Sequence, residues 1–274
     1  MSDINPAWIM VGDLEKGFST DNNKLARTDD LVGKVIRLTG PQDTETEITF
    51  ETADTLTWRQ TDDARRGAEQ YSATSLRDSI FFIDYISAGT SVSIVLDLAR
   101  NLFTSVTVRM PAEEQIEKSL FKRAAEGQEL TSVEPTIVSG RLSGLDPHGS
   151  EIHHPTTELV GKRVMYTYSK TECYEHIYLN SSFYTWHCLE GVEKGLGDTD
   201  RCHYIKIDQN LYLFVWREKI VPTLGVVMID LDRKKTTGKI LGYEGQNVGA
   251  LSNFPVGAHA RVLNVTSYAD DPSN

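Results

Sequence analysis

Titratable and aromatic side chains crowd onto alternate positions in the second half of this chain. Tyr174, His176 and Tyr178 are followed by Tyr184 and Trp186, then by Tyr204, Phe214, Trp216 and Glu218, with Tyr166 upstream. A spacing of two is the period of a β-strand, in which residues i and i+2 share a face. A histidine and a glutamate on one face with several tyrosines form a proton-transfer set. The imidazole or the carboxyl moves a proton, while phenolic hydroxyls donate hydrogen bonds to a developing oxyanion. Glu218, His176, Tyr178 and Tyr184 are therefore the candidate catalytic groups, and Tyr166, Tyr174, Trp186, Tyr204, Phe214 and Trp216 the candidate substrate-binding wall. Each residue also has a plain structural reading. Strand tyrosines pack in cores with their hydroxyls satisfied at the rim, a lone histidine can be a satisfied core residue, and Glu218 beside Lys219 can pair at a strand end.

The inward face is assigned by comparing the chain with itself. Leu31-Val-Gly-Lys34 returns as Leu159-Val-Gly-Lys162, 128 positions later, and Trp58 returns as Trp186 at the same offset. After an insertion of five the offset becomes 133, matching Tyr71 to Tyr204, Phe81 to Phe214, Asp97 to Asp230, Arg100 to Arg233 and Thr104 to Thr237. A repeat of that length is a duplicated domain-sized unit and not a solenoid. In the first copy Ile48 and Phe50 share a face opposite Glu45, Glu47 and Glu51, so the apolar pair points inward. Their counterparts are His176 and Tyr178. Leu38 becomes Tyr166, Leu56 becomes Tyr184, and Phe81, Ile83 and Tyr85 become Phe214, Trp216 and Glu218, with Asp84 and Arg217 outward. Burying such polar groups without partners costs about 1–3 kcal/mol each. A closed core gains nothing from the exchange, whereas a ligand-holding lumen does, so the working pocket is expected in the second copy.

The positioning elements read as short strands. In the first copy these are 35–38, 46–51, 56–60, 71–77, 81–86, 92–98 and 103–110, and the second copy repeats them from Lys162 to Tyr243. About seven strands per copy suggest an up-and-down barrel able to hold one small ligand. Residues 1–30 read as irregular, with Trp8, Ile9 and Met10 as an apolar plug. One helix is expected over 112–126, with Ile116, Leu120 and Phe121 as its apolar stripe, and a Ser/Gly/Pro-rich connection over 139–155. The domains are expected at 25–125 and 150–250, with Asp97 and Asp230 as turn-forming residues.

Composition sets the class. The chain has 28 Lys+Arg against 39 Asp+Glu, a net charge of −11, which argues against nucleic acid or an anionic membrane as partner. No apolar run is long enough to span a bilayer, and the start Met1-Ser-Asp-Ile-Asn-Pro6 lacks the pattern of a signal peptide, so a cytoplasmic protein is expected. Cys173, Cys188 and Cys202 give no disulfide framework. His187-Cys188 and Cys202-His203 resemble a metal quartet, but strand neighbours point to opposite faces, so no metal is expected. Gly191 to Gly197 lacks the context of a phosphate cradle.

The stretches Tyr174-Glu-His-Ile-Tyr-Leu-Asn180, Tyr184-Thr-Trp-His-Cys-Leu-Glu-Gly191, Asp198-Thr-Asp-Arg-Cys202, Tyr212-Leu-Phe-Val-Trp-Arg-Glu-Lys219 and Thr237-Gly-Lys-Ile-Leu-Gly-Tyr-Glu-Gly245 together resemble the MoaF family, named for molybdenum cofactor biosynthesis. Tyr71-Ser-Ala-Thr-Ser-Leu-Arg-Asp78 and Ile83-Asp-Tyr85 extend the resemblance to the first copy. It implies an all-β fold: tandem calycin-like (lipocalin-like) antiparallel barrels with one linking helix. Related-looking barrels include cofactor-free phenolic acid decarboxylases and fungal barrels that steer dehydrations and cycloadditions. The expected function is thus a cofactor-independent lyase or isomerase acting on a small aromatic or polyketide-like intermediate, with no cofactor. The partner is a small aromatic or hydrophobic ligand, and a homodimer is left open. The alternative is a non-catalytic pterin or molybdenum-cofactor binder, whose anion site Arg163, Arg201 or Arg217 would supply. A third reading is a filled barrel with no ligand.

Overall fold

The computed structural model describes residues 7–18, 22–40, 44–61, 65–144 and 151–267; the N-terminal hexapeptide and residues 145–150 of the expected connection lie outside them. The first barrel is a closed antiparallel ring in sequence order: β1 (Val35–Thr39), β2 (Glu45–Phe50), β3 (Thr55–Gln60), β4 (Arg66–Arg77), β5 (Ile80–Ser87), β6 (Thr90–Asp97), β7 (Leu102–Arg109) and β8 (Thr136–Leu142), with β8 returning to β1. A two-residue strand, β9 (His154–Pro155), follows in the chain. The second barrel comprises β10 (Lys162–Thr167), β11 (Cys173–Tyr178), β12 (Phe183–Glu190), β13 (Gly197–Asp208), β14 (Leu211–Glu218), β15 (Thr223–Asp230), β16 (Lys235–Tyr243), β17 (Leu251–Val256) and β18 (His259–Val265). Pairing of β12 with β13 and of β18 with both β10 and β16 closes it. Strands β17 and β18 together do the work of β8, because β17 takes the C-terminal half of β16 and β18 the remainder. Each barrel thus has eight strand positions, one more than expected. The eighth strand of the first barrel lies partly in the stretch read as a connection: Thr136, Val138 and Gly140 are small or β-branched residues that pair along β7.

Contacts divide the chain into two units, Leu25–Met110 with Glu134–His154, and the remainder. Three helices belong to the second unit: α1 (Val11–Phe18), α2 (Glu113–Glu117) and α3 (Leu120–Ala125). The expected helix over 112–126 is therefore split. Ser119 accepts a hydrogen bond from Lys122 N (3.2 Å) as the N-cap of α3, which forces Lys118 out of helical geometry. The expected apolar stripe is not the packed face, since Phe121 is 83% exposed. Arg123 is buried instead, its guanidinium donating to the carbonyls of Gln115 (2.6 Å) and Glu129 (3.4 Å). Among the described residues no helix is long and apolar enough to cross a membrane.

Ladder register corrects the internal alignment. Ile48 faces Trp58 as His176 faces Trp186, so the offset of 128 holds through β1–β3. Tyr71 faces Tyr85, however, as Cys202 faces Trp216, and Ala73 faces Ile83 as Tyr204 faces Phe214, an offset of 131. From Asp97 and Asp230, which face Ile80 and Leu211, the offset is 133. Phe81 therefore matches Tyr212 rather than Phe214, and the counterpart of Glu218 is Ser87 rather than Tyr85. The five-residue insertion is divided between the β12–β13 turn and the β14–β15 turn. A slip of two residues preserves the face, so the inward assignment of Phe214, Trp216 and Glu218 is unaffected. The turn role of both aspartates is visible. Asp97 accepts from Arg100 N (2.9 Å), and Asp230 accepts from the amides of Asp232 (3.0 Å) and Arg233 (2.9 Å).

Glycine makes room where the second lumen is fullest. A Cβ on Gly225 would lie 2.1 Å from the Trp216 ring, and one on Gly242 would lie 2.2 Å from Val11 of α1. Gly225→Ala is expected to destabilise the protein by about 1–3 kcal/mol through overpacking. Gly245→Ala, where nothing lies within 4 Å, is expected to be nearly neutral. Urea denaturation of the two variants checks the contrast, and equal midpoints would contradict it.

Candidate functional site

The second lumen is built in layers. At its base Tyr166 and Tyr178 share a hydroxyl–hydroxyl hydrogen bond of 2.6 Å. Beside them Tyr204 stacks on Phe214, with centroids 5.6 Å apart and planes 12° off parallel. The Tyr204 hydroxyl donates to the Phe183 carbonyl (3.2 Å) and accepts from Cys202 Sγ (3.0 Å). Above this layer sits His176, whose ring lies 4.7 Å from Tyr166, 5.1 Å from Tyr184, 5.6 Å from Phe214 and 6.0 Å from Trp216. Its Nδ1 is buried with no hydrogen-bond partner among the described residues. Burial drives the imidazole pKa down to about 3, so the ring is neutral.

Trp216 stacks on Phe214 (5.3 Å, 23°) and donates from Nε1 to Glu218 Oε1 (2.9 Å). Burial of that carboxyl, reinforced by the charges of Asp200 and Glu193, pushes its pKa well above the ordinary carboxylate range. Two further acids stand close by. Asp200, 2% exposed, accepts from Trp186 Nε1 (3.0 Å) and from Lys219 N (3.2 Å) and Nζ (3.3 Å). Burial raises its pKa against the opposing pull of Lys219. Glu193 accepts from the Tyr174 hydroxyl (3.1 Å), and burial raises it too.

Between these groups lies a cavity of about 30 Å³ bordered by Tyr174, His176, Tyr184, Trp186, Trp216 and Glu218. That volume suits a water molecule and not an aromatic ring. Helix α1 closes it with Leu14 and Phe18. Phe18 packs edge-on against Tyr168 (4.8 Å) and tilts against Tyr174 and Phe254 (5.9 and 5.8 Å). Glu15 accepts from Ser252 Oγ (2.7 Å). Six of the ten expected site residues thus meet at one cavity. Tyr166, Tyr178, Tyr204 and Phe214 form the layer beneath and do not border it.

Sequence reading missed Asp200 and Glu193, although Asp200 lies two residues before Cys202 on the inward face of β13. It also missed α1, whose Val11, Leu14 and Phe18 have helical spacing within only eight residues. The paired His and Cys residues do point apart. Cys188 and Cys202 are buried, while His187 Nδ1 lies on the outer face, 3.0 Å from Glu175 Oε1. Glu175 is also held bidentately by Arg163 at 2.7 Å for both contacts. Among the described residues no group of three His, Cys, Asp or Glu side chains is placed to hold a metal. Arg201 and Arg217 face each other across β13 and β14, and with Lys219 they line a cavity of about 250 Å³ on this barrel. Arg201 lies over the Phe183 ring (4.3 Å) and donates from Nε to Glu129 (2.7 Å).

Fold and site together define a duplicated antiparallel barrel protein whose second lumen sets buried acids and an imidazole among packed aromatic rings. Residues 6–112 match the MoaF N-terminal domain and residues 153–266 the MoaF C-terminal domain. Protein MoaF of Klebsiella aerogenes is 42% identical over 266 residues, covering 96% of this chain and 98% of that protein. The chain belongs to the MoaF family. A crystal structure from Burkholderia vietnamiensis shares 11% identity over 39% of this chain and 96% of its own, with a TM-score of 0.33, too weak a likeness to carry an argument.

One further buried acid gives a pH signature. Glu172 is 2% exposed and accepts from Val192 N (3.3 Å), and burial raises its pKa from 4.5 to about 7. The folded state therefore holds a proton that the unfolded chain releases. The stabilisation from Glu172 is complete below about pH 4.5 and disappears as the pH rises through about 7. Replacing Glu172 with Gln should remove this loss, so the variant gains on the wild type across that interval. Urea midpoints between pH 4.5 and 7.5 check it, and a pH-independent difference would contradict it.

Proposed function

We propose that the second barrel performs proton-transfer chemistry on a small aromatic or polyketide-like molecule, as a cofactor-independent lyase or isomerase. The observation that carries this reading is the meeting of Glu218 and His176 at one cavity with their pKa values displaced in opposite directions. Such displacement is how a fold assigns acid and hydrogen-bonding roles at neutral pH. Glu218, protonated well above the pH at which a free glutamate ionises, donates a proton to a leaving hydroxyl or to a forming carbanion. His176, neutral, offers its partnerless Nδ1 to a polar group of the substrate. Tyr184 donates a hydrogen bond to the oxyanion, and Trp186 and Trp216 hold the ring. Decarboxylation balances with these roles alone, since carbon dioxide leaves, Glu218 protonates the carbanion and solvent reprotonates Glu218. In a dehydration or cyclisation His176 Nδ1 takes the proton lost from carbon as Glu218 gives one to the leaving hydroxyl. The resting cavity is smaller than any such substrate, so entry requires its bordering side chains to move, Leu14 and Phe18 of α1 among them.

A second reading, a non-catalytic binder of an anionic heterocycle such as a pterin, is favoured by the juxtaposition of Arg201, Arg217 and Lys219 around one cavity. Arg163 is not part of that cluster. Native mass spectrometry of the purified protein separates the two readings by the ligand carried, an aromatic intermediate or a pterin. For the catalytic reading, Glu218→Gln should keep the fold and lower turnover by about 10²-fold or more in a screen of phenolic and polyketide-like substrates. Undiminished turnover in this variant would overturn the assignment.

A further inference from the structure

The corrected register allows the lumen of the first barrel to be read against the second, position by position. At the end where the second lumen closes, His176, Trp216, Glu218, Ile240 and Gly242 correspond to Ile48, Tyr85, Ser87, Thr107 and Arg109. Tyr85, Ser87 and Thr107 are smaller than the Trp216, Glu218 and Ile240 they match, while Arg109 stands at the rim where Gly242 admits α1, and the first barrel holds a cavity of about 500 Å³ where the second holds about 30 Å³. The larger volume lies within the range of small-molecule sites. Its base is apolar, formed by Leu38, Ile48, Val92 and Ile94, and Trp58 and Tyr85 give it aromatic walls.

Nearer the mouth the inward positions turn polar. Gln60, Ser87, Thr90, Ser105 and Thr107 come from four strands and line the same space. Hydroxyl and amide groups facing inward on four strands are costly in a dry core and natural in a site that holds a polar ligand. Arg65 and Arg109 stand at the rim, both exposed. Arg109 is fixed there by donation from Nη2 to the Ala88 carbonyl (2.9 Å) and Thr90 Oγ1 (3.4 Å). The nearby carboxylate, Glu69, is engaged by Ser87 Oγ (2.6 Å) and more weakly by Trp58 Nε1 (3.5 Å). Two arginines at one mouth place positive charge at the rim of a chain whose net charge is −11.

We propose that the first barrel is a second small-molecule site, which takes an amphipathic aromatic carboxylate with its ring between Trp58 and Tyr85 and its carboxylate at Arg65 and Arg109. This site is independent of any chemistry at Glu218, and its test reads binding alone. Cinnamate and its uncharged analogue cinnamamide serve as probes in calorimetric titration of the full chain. Cinnamate should bind roughly tenfold more tightly than the amide, the difference set by the charge-assisted contacts at the rim. Arg109→Gln, at an exposed position that does not threaten the fold, should erase that preference. Thr107→Trp should put an indole in the middle of the cavity and weaken binding of both probes by about tenfold or more, with thermal denaturation confirming that the variant is folded. The proposal is overturned if neither probe binds, if the amide binds as well as the acid, or if folded Thr107→Trp binds cinnamate as tightly as the wild type. Should Thr107→Trp fail to fold, the Arg109→Gln titration decides: a preference for the acid that survives in this variant sinks the proposal.

Discussion

A closed eight-stranded barrel encloses a limited volume, and every inward side chain draws on it. The chemistry of this chain follows from how that volume is divided. In the second barrel the aromatic rings of Tyr184, Phe214 and Trp216 take nearly all of it, and glycines at 225 and 242 give space back so that Trp216 and Val11 can close the top. In the first barrel the matching positions carry Val92 and Arg109, with Tyr85 in place of Trp216 and Ser87 in place of Glu218, and the space remains open. Neither lumen is a plain core. One is filled and carries acid and imidazole; the other is open, with hydroxyls and guanidinium groups at its mouth.

The filled lumen carries an electrostatic cost that a purely structural barrel would avoid. A partnerless Nδ1 on His176 forgoes hydrogen bonding that water would supply, of order 1–3 kcal/mol. Glu218 and Asp200 lower their own cost in different ways. Glu218 retains its proton and accepts from Trp216, whereas Asp200 accepts from Trp186 and is partly neutralised by Lys219. The two indoles are thus both packing groups and the donors that make buried carboxyls tolerable. Replacement of these acids by well-packed apolar groups would relieve the same cost, so stability alone gives no reason for their presence.

Much of this was legible in the sequence because period-two alternation survives wherever one face of a strand is inward. The aromatic set at 174, 176, 178, 184, 186, 214 and 216, with Glu218, was assigned to the lumen by strand parity together with the apolar counterparts in the first copy, and the strands hold it there. Parity is blind to shifts of two, however, and the alignment of Phe81 with Phe214 hid the true counterpart of Glu218. It is equally blind to volume. Thr46, Ser87, Ser105 and Thr107 alternate as faithfully as a core does, and nothing in their spacing shows that the space they face is empty. The eighth strand was obscured for another reason. Val138-Ser-Gly-Arg-Leu142 has the composition of a connection, and the neighbouring strands β7 and β1 make it a strand.

Helix α1 lies outside the repeat, which begins near Leu31, so the closure of the second lumen has no counterpart in the duplicated pattern. A helix of eight residues is marginal on its own and persists through docking. Its docking rests on a few separable contacts: Val11 against Gly242, the Phe18 ring among Tyr168, Tyr174 and Phe254, the Glu15–Ser252 hydrogen bond, and donation from Asn22 to the Phe18 carbonyl (3.0 Å). The strands beneath are joined by continuous ladders. Local opening follows the weaker set of contacts, so α1 is expected to open more readily than the strands beneath it. The resting lumen under this helix has room for little more than a water, so the chemistry proposed at Glu218 depends on that opening.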